Sequence, residues 1–357
     1  MKKILLFTPR QWNLQWGQEK DLINQINTHY KIKVIDLFDY SDLPNTYSIP
    51  KNTELVIRKT NTKPGLLLGI KTEIQNAKQA LKSDFNIMIT YLTAGTILAS
   101  IISRIRGKKV LLIYADDYPE LNRNSSYVGY LLTKYFANPI LALMSNKIVA
   151  TARLLAKDIS IMGKKAEKIP NGVHIESYTS DKKIKNNNYT VGFVGGFGEW
   201  LDFDLIINAA KKLPAVNFVL VGDGPQFNYV KKQTKQLKNV RLTGMIPKDE
   251  VVKEIDSMSV CTIPFKVNRL TDRVSPIKLF EYWAREKPVI STSFLELKET
   301  GENIVEFADS KDDFLNKILL LENLKLRNEI GEKGKKEVKK YDWSSLGKRY
   351  LKILGDL

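Results

Sequence analysis

The stretch LTDRVSPIKLFEYWAREKPVIS, residues 270–291, carries the strongest local pattern in the chain. Ser275 and Pro276 predict a helix start, because a serine side chain caps orphan backbone donors and proline fits the first helical position. Apolar side chains then recur at helical spacing over residues 277–284. The following Pro-Val-Ile, residues 288–290, predicts a short buried strand.

Lys278 and Glu281 lie three residues apart, so a helix places them on one face, one turn from each other. A helix N-terminus attracts anions, because its free N–H groups and its dipole point at the ligand. A lysine there can neutralise a phosphate, and a carboxylate about 5 Å further along can accept hydrogen bonds from two ribose hydroxyls. This order matches a bound nucleoside diphosphate. The helix alone also fits an ordinary surface Lys/Glu pair.

The spacing P-x-K-x-x-E-Y-x-A at residues 276–284, followed by K-P-V-I at 287–290, resembles the donor-site signature of GT-B glycosyltransferases. It is most similar to the TuaH-like (teichuronic-acid type) subgroup, which also carries an Asn-x-Leu-Thr run before the proline. Residues 268–271, Asn-Arg-Leu-Thr, match that run. The resemblance covers residues 170–357 well and the first domain in outline.

Composition favours two α/β domains without disulfides. A length of 357 residues suits two domains, and a hydrophobic content of 43% is enough for a core in each. The single cysteine, Cys261, excludes an intrachain disulfide framework and a cysteine-rich zinc site. The short apolar run in residues 1–9 predicts a buried strand rather than a signal peptide, so we expect a cytoplasmic protein.

Apolar runs alternate with helical segments through both halves, which predicts doubly wound α/β sheets. The resemblance implies a GT-B architecture of two Rossmann-like domains facing a central cleft. Residues 1–172 would form the N-terminal acceptor-binding domain, and residues 173–340 the C-terminal nucleotide-sugar-binding domain. Residues 341–357 would form a C-terminal helix that crosses back to pack on the first domain.

Two further segments match donor-site positions of the family, and a third departs from the pattern. Gly195, Gly196 and Phe197 follow a predicted strand, where glycines let the backbone approach a phosphate or a sugar. Met245 and Ile246 lie in a loop that in relatives contacts the base through backbone groups. Many relatives place an Arg and a Lys just after the glycine loop, but this chain has Glu199, Trp200 and Asp202 there.

Because of that departure, we expect the diphosphate to be bound by Lys278, by the backbone at the helix start, and by Arg269 or Arg273. Arg273 stands where relatives with a Glu-x7-Glu motif keep the first glutamate, which holds the sugar hydroxyls. A guanidinium can only donate and pairs best with a carboxylate, so it suits either a uronic acid donor or the diphosphate. Retention and inversion of the anomeric configuration both stay open.

The first half offers candidate acceptor and catalytic residues. Trp12 and Trp16 follow the first strand, at a sheet edge where ligand sites form. They could stack on a sugar, enter a lipid interface or pack between domains. Tyr91 and Thr93 belong to a later strand-to-helix loop, whose free donors and hydroxyls could bind a polar acceptor.

The adjacent acids Asp116 and Asp117 follow a predicted central strand, where they are costly unless hydrogen-bonded or solvated. We expect one of them, with more weight on Asp117, to act as general base on the acceptor hydroxyl. The alternative is a helix cap or turn. The resemblance favours catalysis, because related enzymes carry an acidic pair in this loop.

Positive charge is concentrated in the first half. Residues 1–172 hold 25 Lys and Arg against 13 Asp and Glu, whereas the remainder holds 31 against 26. Such a surface favours anionic lipid or nucleic acid, or is simply a lysine-rich solvated surface. No nucleic-acid-binding pattern occurs, so no nucleic-acid partner is expected. Residues 126–145 are the most apolar stretch. They fit a buried helix or one partly seated in a lipid interface.

The favoured function is a hexosyltransferase that moves a sugar from a nucleoside diphosphate, with UDP preferred, to a lipid-linked or polysaccharide hydroxyl in cell-surface glycan biosynthesis. We expect a peripheral location on the inner membrane face. The resemblance implies that no metal or other cofactor is needed, because the helix dipole and basic side chains replace a divalent cation. The alternatives are a UDP-sugar epimerase of GT-B-like fold and a non-catalytic basic protein that binds a membrane surface or nucleic acid.

Overall fold

The computed structural model describes residues 1–9, 18–36, 49–58, 66–92, 95–123, 126–178 and 188–357. The chain divides into two compact units. Unit 1 comprises Met1–Asn171 together with Trp343–Leu357, and unit 2 comprises Gly172–Asp342. Each unit contains a parallel sheet with its own hydrophobic core. The prediction of two Rossmann-like α/β sheets is therefore confirmed.

Unit 1 is built on a seven-stranded parallel sheet in the order β3-β2-β1-β4-β5-β6-β7. Its central strands are buried on both faces, as their continuous apolar runs predict. The strands are β1 (Lys3–Phe7), β2 (Lys31–Ile35), β3 (Thr53–Val56), β4 (Ile87–Tyr91), β5 (Lys109–Tyr114), β6 (Lys147–Ala150) and β7 (Glu167–Lys168).

In the described part of unit 1, seven α-helices connect these strands. They are α1 (Gln18–Ile26), α2 (Leu66–Lys82), α3 (Ile97–Ile105), α4 (Tyr118–Asn122), α5 (Tyr127–Leu132), α6 (Asn138–Met144) and α7 (Arg153–Ile161). A π-helical turn, Thr133–Ala137, joins α5 to α6.

The apolar stretch 126–145 is buried on one side and exposed on the other, and its contact with a lipid interface stays a prediction. Tyr130, Ala137 and Leu141 pack inward. The outer side exposes six large apolar side chains, which we call the apolar face: Tyr127, Val128, Leu132, Tyr135, Phe136 and Leu143. In the described part of the chain, every helix is too short or too polar to cross a membrane.

Unit 2 is built on a six-stranded parallel sheet in the order β10-β9-β8-β11-β12-β13. The strands are β8 (Thr190–Val194), β9 (Asn217–Val221), β10 (Val240–Gly244), β11 (Val260–Ile263), β12 (Val289–Ser291) and β13 (Val305–Phe307). The helices are α8 (Phe203–Lys212), α9 (Phe227–Thr234), α10 (Lys248–Ser257), α11 (Ile277–Ala284), α12 (Leu295–Gly301), α13 (Lys311–Leu320) and α14 (Leu324–Glu337). Short 3₁₀ segments occur at Ile175–Tyr178, Thr271–Arg273 and Val338–Tyr341.

The last helix, α15 (Trp343–Gly355), belongs to unit 1, where it packs on α1. Trp343 and Tyr350 are buried in the core of that unit, and Gln18 donates a hydrogen bond to the Tyr350 hydroxyl at 3.3 Å. Gly347 lies against Gln25, whose Cβ would be 2.7 Å from a Cβ added at Gly347. A side chain at position 347 would therefore push the two helices apart.

Candidate functional site

Helix α11 begins one residue later than the sequence predicts. Pro276 occupies the N-cap position in an extended conformation, and it has no side-chain acceptor for the first-turn amides. Ser275 lies one residue before this position, and capping of the helix by its side chain stays a prediction. The proline ring restricts Pro276 to a φ that is compatible with the cap position, and the chain enters the helix directly after it.

Tyr282 fastens α11 to the end of β8. Its hydroxyl accepts a hydrogen bond from Val194 N at 2.9 Å and faces Val194 O at 3.4 Å. Burial raises the pKa of Tyr282 well above its ordinary value, so the hydroxyl keeps its proton. Because Val194 immediately precedes the glycine loop, this contact fixes the distance between that loop and the helix.

Lys278 lies directly over Gly195. Gly195 has a φ of +148°, and a Cβ added there would lie 2.1 Å from Lys278 Nζ. The backbone conformation therefore favours glycine at this position, and a side chain there would displace the Lys278 ammonium. Burial lowers the pKa of the Lys278 ammonium, while the nearby charge of Glu281 acts in the opposite direction. Among the described residues, no carboxylate lies within ion-pair distance of this ammonium.

The glycine loop is held by the turn that follows β9. Gly195 N donates to Val221 O and Phe197 N donates to Asp223 O, each at 2.8 Å. The Phe197 ring is buried against Phe203, with ring centroids 4.5 Å apart. The ring therefore packs in the core, and the Phe197 N–H and carbonyl are both hydrogen-bonded within unit 2, so contact of Phe197 with a donor stays a prediction.

Glu281 is oriented by a residue that the sequence pattern does not indicate. The hydroxyl of Tyr178 donates to Glu281 Oε1 at 2.7 Å. No described residue donates to Oε2. The two residues are 103 positions apart, so no local spacing rule could have paired them.

In the loop before α11, the Asn-x-Leu-Thr run forms a turn that its own side chains stabilise. Asn268 Oδ1 accepts hydrogen bonds from Leu270 N at 2.9 Å and Thr271 N at 3.1 Å, and the Thr271 hydroxyl donates to Lys266 O at 2.6 Å. This self-bonded turn carries both candidate arginines. Arg273 Nη1 donates to Arg269 O at 3.1 Å. Contact of either arginine with a phosphate stays a prediction.

Met245 and Ile246 follow β10 at the same edge of the sheet. Gly222 N, after β9, donates to Gly244 O at 2.9 Å, so the ends of the two strands are joined. The Met245 side chain is 83% exposed, whereas Ile246 packs partly against the core. Their contact with a nucleotide base stays a prediction.

In unit 1, Asp117 is the N-cap of α4. Its Oδ1 accepts a hydrogen bond from Glu120 N at 3.3 Å, and the side chain is buried. The cap considered as an alternative is thus present, while Asp116 beside it is half-buried. The structure therefore moves the weight for a general base from Asp117 toward Asp116, although the catalytic role of either residue stays a prediction.

The Gly95 donor after β4 is not free, and Thr93 and Ala94 lie outside the described residues, so the acceptor-loop prediction is corrected at Gly95 alone. The Glu73 carboxylate accepts hydrogen bonds from Gly95 N at 2.9 Å, Ile97 N at 3.2 Å and Leu98 N at 3.0 Å. A carboxylate from α2 thus neutralises the N-terminus of α3. Tyr91 is 1% exposed in the core of unit 1, which argues against an acceptor contact by its ring.

Three predicted acceptor residues, Trp12, Trp16 and Thr93, lie outside the described residues. Among the residues that are described, no three His, Cys, Asp or Glu side chains are close enough to hold a metal ion.

The second unit matches a known family. The model described as "Glycosyl transferases group 1" matches residues 188–323. The chain is 26% identical over 212 residues to the candidate teichuronic acid biosynthesis glycosyltransferase TuaH of Bacillus subtilis (strain 168), covering 56% of this chain and 53% of that protein. It is 29% identical over 224 residues to an uncharacterized glycosyltransferase of Methanocaldococcus jannaschii, covering 60% of each. The chain thus spans little more than half the length of these curated relatives.

Solved structures share the whole fold. Sucrose-phosphate synthase from Thermosynechococcus elongatus superposes with a TM-score of 0.81 at 13% identity, over 100% of this chain and 99% of that chain. Anabaena HepE in complex with UDP-glucose gives a TM-score of 0.71 at 17% identity, over 100% of both chains. This chain therefore has the GT-B fold, and its residues 188–323 match the family model of glycosyl transferases group 1.

Proposed function

We propose that this protein is a glycosyltransferase that takes a sugar from a nucleoside diphosphate, with UDP as the nucleotide. The observation that carries the proposal is the arrangement on α11. Lys278 lies over Gly195 without a carboxylate partner among the described residues, and Glu281 lies one turn further along the same helix. A diphosphate beside the first and a ribose beside the second would satisfy both groups.

The diphosphate would be held without a metal ion. The first turn of α11 supplies backbone N–H groups, and Lys278 supplies an ammonium group. Arg269 and Arg273 add guanidinium groups on the adjoining loop. UDP is preferred as the nucleotide because HepE, which shares the fold, has been solved with UDP and with UDP-glucose.

The transfer step needs an acceptor hydroxyl and a base. The hydroxyl oxygen would bond to the anomeric carbon, the bond from that carbon to the diphosphate oxygen would break, and UDP would leave. The hydroxyl proton would pass to a carboxylate. Asp116 is our choice of base, with Asp117 capping the adjacent helix and holding the loop in shape.

The acceptor in this proposal is a lipid-linked glycan at an anionic membrane, with the protein on its inner face. The apolar face of unit 1 and the positive charge of that unit together fit such a surface. Arg123 and Lys134 lie over the Tyr130 ring at 5.4 and 5.0 Å, so cations adjoin the apolar side chains. The similarity to TuaH, whose name places it in teichuronic acid biosynthesis, agrees with a cell-surface glycan product.

A thermal-shift screen with UDP, GDP and ADP, each free and sugar-linked, tests the donor class. A nucleotide present at about 100 times its Kd stabilises the folded protein by about 2.7 kcal/mol, which raises Tm by several degrees. We expect UDP and one UDP-sugar to give that shift, followed by slow release of UDP from the same sugar. Absence of a shift with all of these nucleotides would exclude the proposed function.

A further inference from the structure

We propose that Tyr178 is a positioning residue of the nucleotide site, which sets the Glu281 carboxylate for the ribose hydroxyls. The inference rests on the proposed function, because it assigns Glu281 to a ribose. It adds a residue that lies outside the helix motif and before the strand and glycine loop of unit 2.

The first observation is how the two oxygens of Glu281 differ. Tyr178 donates to Oε1 at 2.7 Å, and no described residue donates to Oε2. A carboxylate that accepts one fixed hydrogen bond cannot rotate freely about its terminal torsion. Oε2 is therefore held in one direction, with its lone pairs available to a ligand hydroxyl.

The second observation is that Tyr178 is itself fixed at its backbone. The Arg285 guanidinium donates to the carbonyl oxygen of Tyr178. The same guanidinium forms a buried bidentate pair with Asp256, at 2.7 Å from Nε to Oδ1 and 2.6 Å from Nη2 to Oδ2. Such a pair is geometrically demanding, so it holds both partners rigidly.

The chain of contacts thus runs from Asp256 through Arg285 and Tyr178 to Glu281. Arg285 and Glu281 both lie at α11 or its C-cap, so Tyr178 spans the helix from its end back to its middle. The Tyr178 side chain is only 5% exposed, which removes competing water from the hydroxyl contact. Rigid support of this kind reduces the ordering cost of ligand binding.

The test measures how strongly the ribose hydroxyls are recognised. Calorimetry gives the Kd of UDP and of 2′,3′-dideoxy-UDP for the parent, Tyr178→Phe and Tyr189→Phe. Tyr189→Phe is the matched control, because its hydroxyl also donates one hydrogen bond in unit 2, to Ile318 O at 2.6 Å. Partial unfolding lowers the fraction of protein that can bind, and it does so equally for UDP and for the dideoxy analogue. The ratio of the two Kd values measured on one preparation is therefore insensitive to partial unfolding.

In the parent we expect UDP to bind at least about tenfold tighter than the dideoxy analogue, since the analogue lacks the two hydroxyls that would donate to the Glu281 carboxylate. Tyr178→Phe should reduce that ratio about 3- to 10-fold, with the Kd of the dideoxy analogue unchanged. Tyr189→Phe should leave the ratio unchanged. In a Glu281→Ala background, which removes the acceptor of the Tyr178 hydroxyl, Tyr178→Phe should add no further loss.

Two results would overturn the inference alone. They are an unchanged ratio in Tyr178→Phe, and an equal loss of affinity for both ligands, which would indicate a merely structural tyrosine. A parent that binds both ligands equally would overturn the ribose assignment while leaving diphosphate binding in place. A parent that binds neither ligand would overturn the proposed function and the inference with it.

Discussion

At the scale of single residues, Glu281 is the strongest candidate contact to a nucleotide. We expect Glu281→Ala to lose charge-assisted hydrogen bonds worth about 2–3 kcal/mol, which corresponds to about 30- to 150-fold in UDP affinity. Calorimetry with UDP measures the loss. Glu329→Ala is the control, because Glu329 is an exposed acid of the same unit whose carboxylate pairs with Lys333. Unchanged UDP binding by Glu281→Ala would show that the ribose lies elsewhere.

Because the Lys278 ammonium is buried, we predict that the affinity for UDP changes with pH. Burial lowers the pKa of its ammonium below the ordinary value of 10.5, so the folded protein releases this proton at a lower pH than the unfolded chain does. Between the two pKa values the unfolded chain binds more protons, and the free protein therefore gains stability as pH rises. Bound diphosphate favours the protonated form, so UDP affinity should fall over the same window.

Lys278→Met separates these effects. It should weaken UDP about tenfold or more at neutral pH, since a charge-assisted contact is lost, and it should flatten the alkaline fall in affinity. It should also raise Tm of the free protein, because the desolvation cost of the ammonium disappears. Binding isotherms from pH 7 to 10 and thermal unfolding check both. Lys298→Met, at an exposed lysine of α12, should change neither property. A parent-like pH profile in Lys278→Met would remove Lys278 from the phosphate site.

Substitution of Arg273 distinguishes two hypotheses for its contact with the donor, a uronic acid or the diphosphate. If its guanidinium pairs with a uronic acid, Arg273→Gln should weaken UDP-glucuronate about tenfold or more and leave UDP-glucose unchanged. If it contacts the diphosphate, the variant should weaken both donors and UDP alike, and we favour this second account. The same calorimetric series decides between them. Equal and unchanged affinities for all three ligands would exclude both.

At the scale of elements, the loop between β5 and α4 carries the proposed base. Asn is as good an N-cap as Asp, so Asp117→Asn retains the helix cap while it removes the charge. We expect Asp116→Asn to lower turnover about 10²-fold with UDP affinity intact, and Asp117→Asn to have a smaller effect. Turnover is measured with the donor found in the screen. Rates within a few-fold of the parent in both variants would remove catalysis from this loop.

The elements also show which interactions local patterns can predict. Strands such as β4 and β5 were predictable because they are continuous apolar runs, and the helix face of α11 because its spacing is local. The capping of α3 by Glu73 was not, because the carboxylate arrives from a different helix. The same holds for Lys278 over Gly195 and for Tyr178 on Glu281, which are contacts between elements distant in sequence. The motif identified the donor helix, but not the side chains that orient it.

At the scale of the whole molecule, the two units differ strongly in charge. Unit 1 contains 28 Lys and Arg against 14 Asp and Glu, whereas unit 2 contains 28 against 25. Assigning residues 343–357 to unit 1 increases the asymmetry that the sequence already shows, because that segment is itself basic. The more basic unit also carries the apolar face. Attraction to anionic lipid and burial of apolar side chains would therefore act through the same unit.

This combination predicts binding to anionic vesicles that depends on both charge and apolar contact. The parent should float with vesicles of phosphatidylglycerol and phosphatidylethanolamine at low salt, and less so at high salt, since screening weakens the electrostatic part. Replacing Tyr135 and Phe136 by serine should lower the partition coefficient at least about tenfold, because each large apolar side chain contributes about 1.5–3 kcal/mol when buried. Leu319 and Leu320 form an equally adjacent exposed pair in unit 2, and serine at both should leave flotation unchanged. A parent that stays unbound at low salt would make a water-soluble acceptor the better hypothesis, while equal losses in the two double variants would deny the apolar face a specific role.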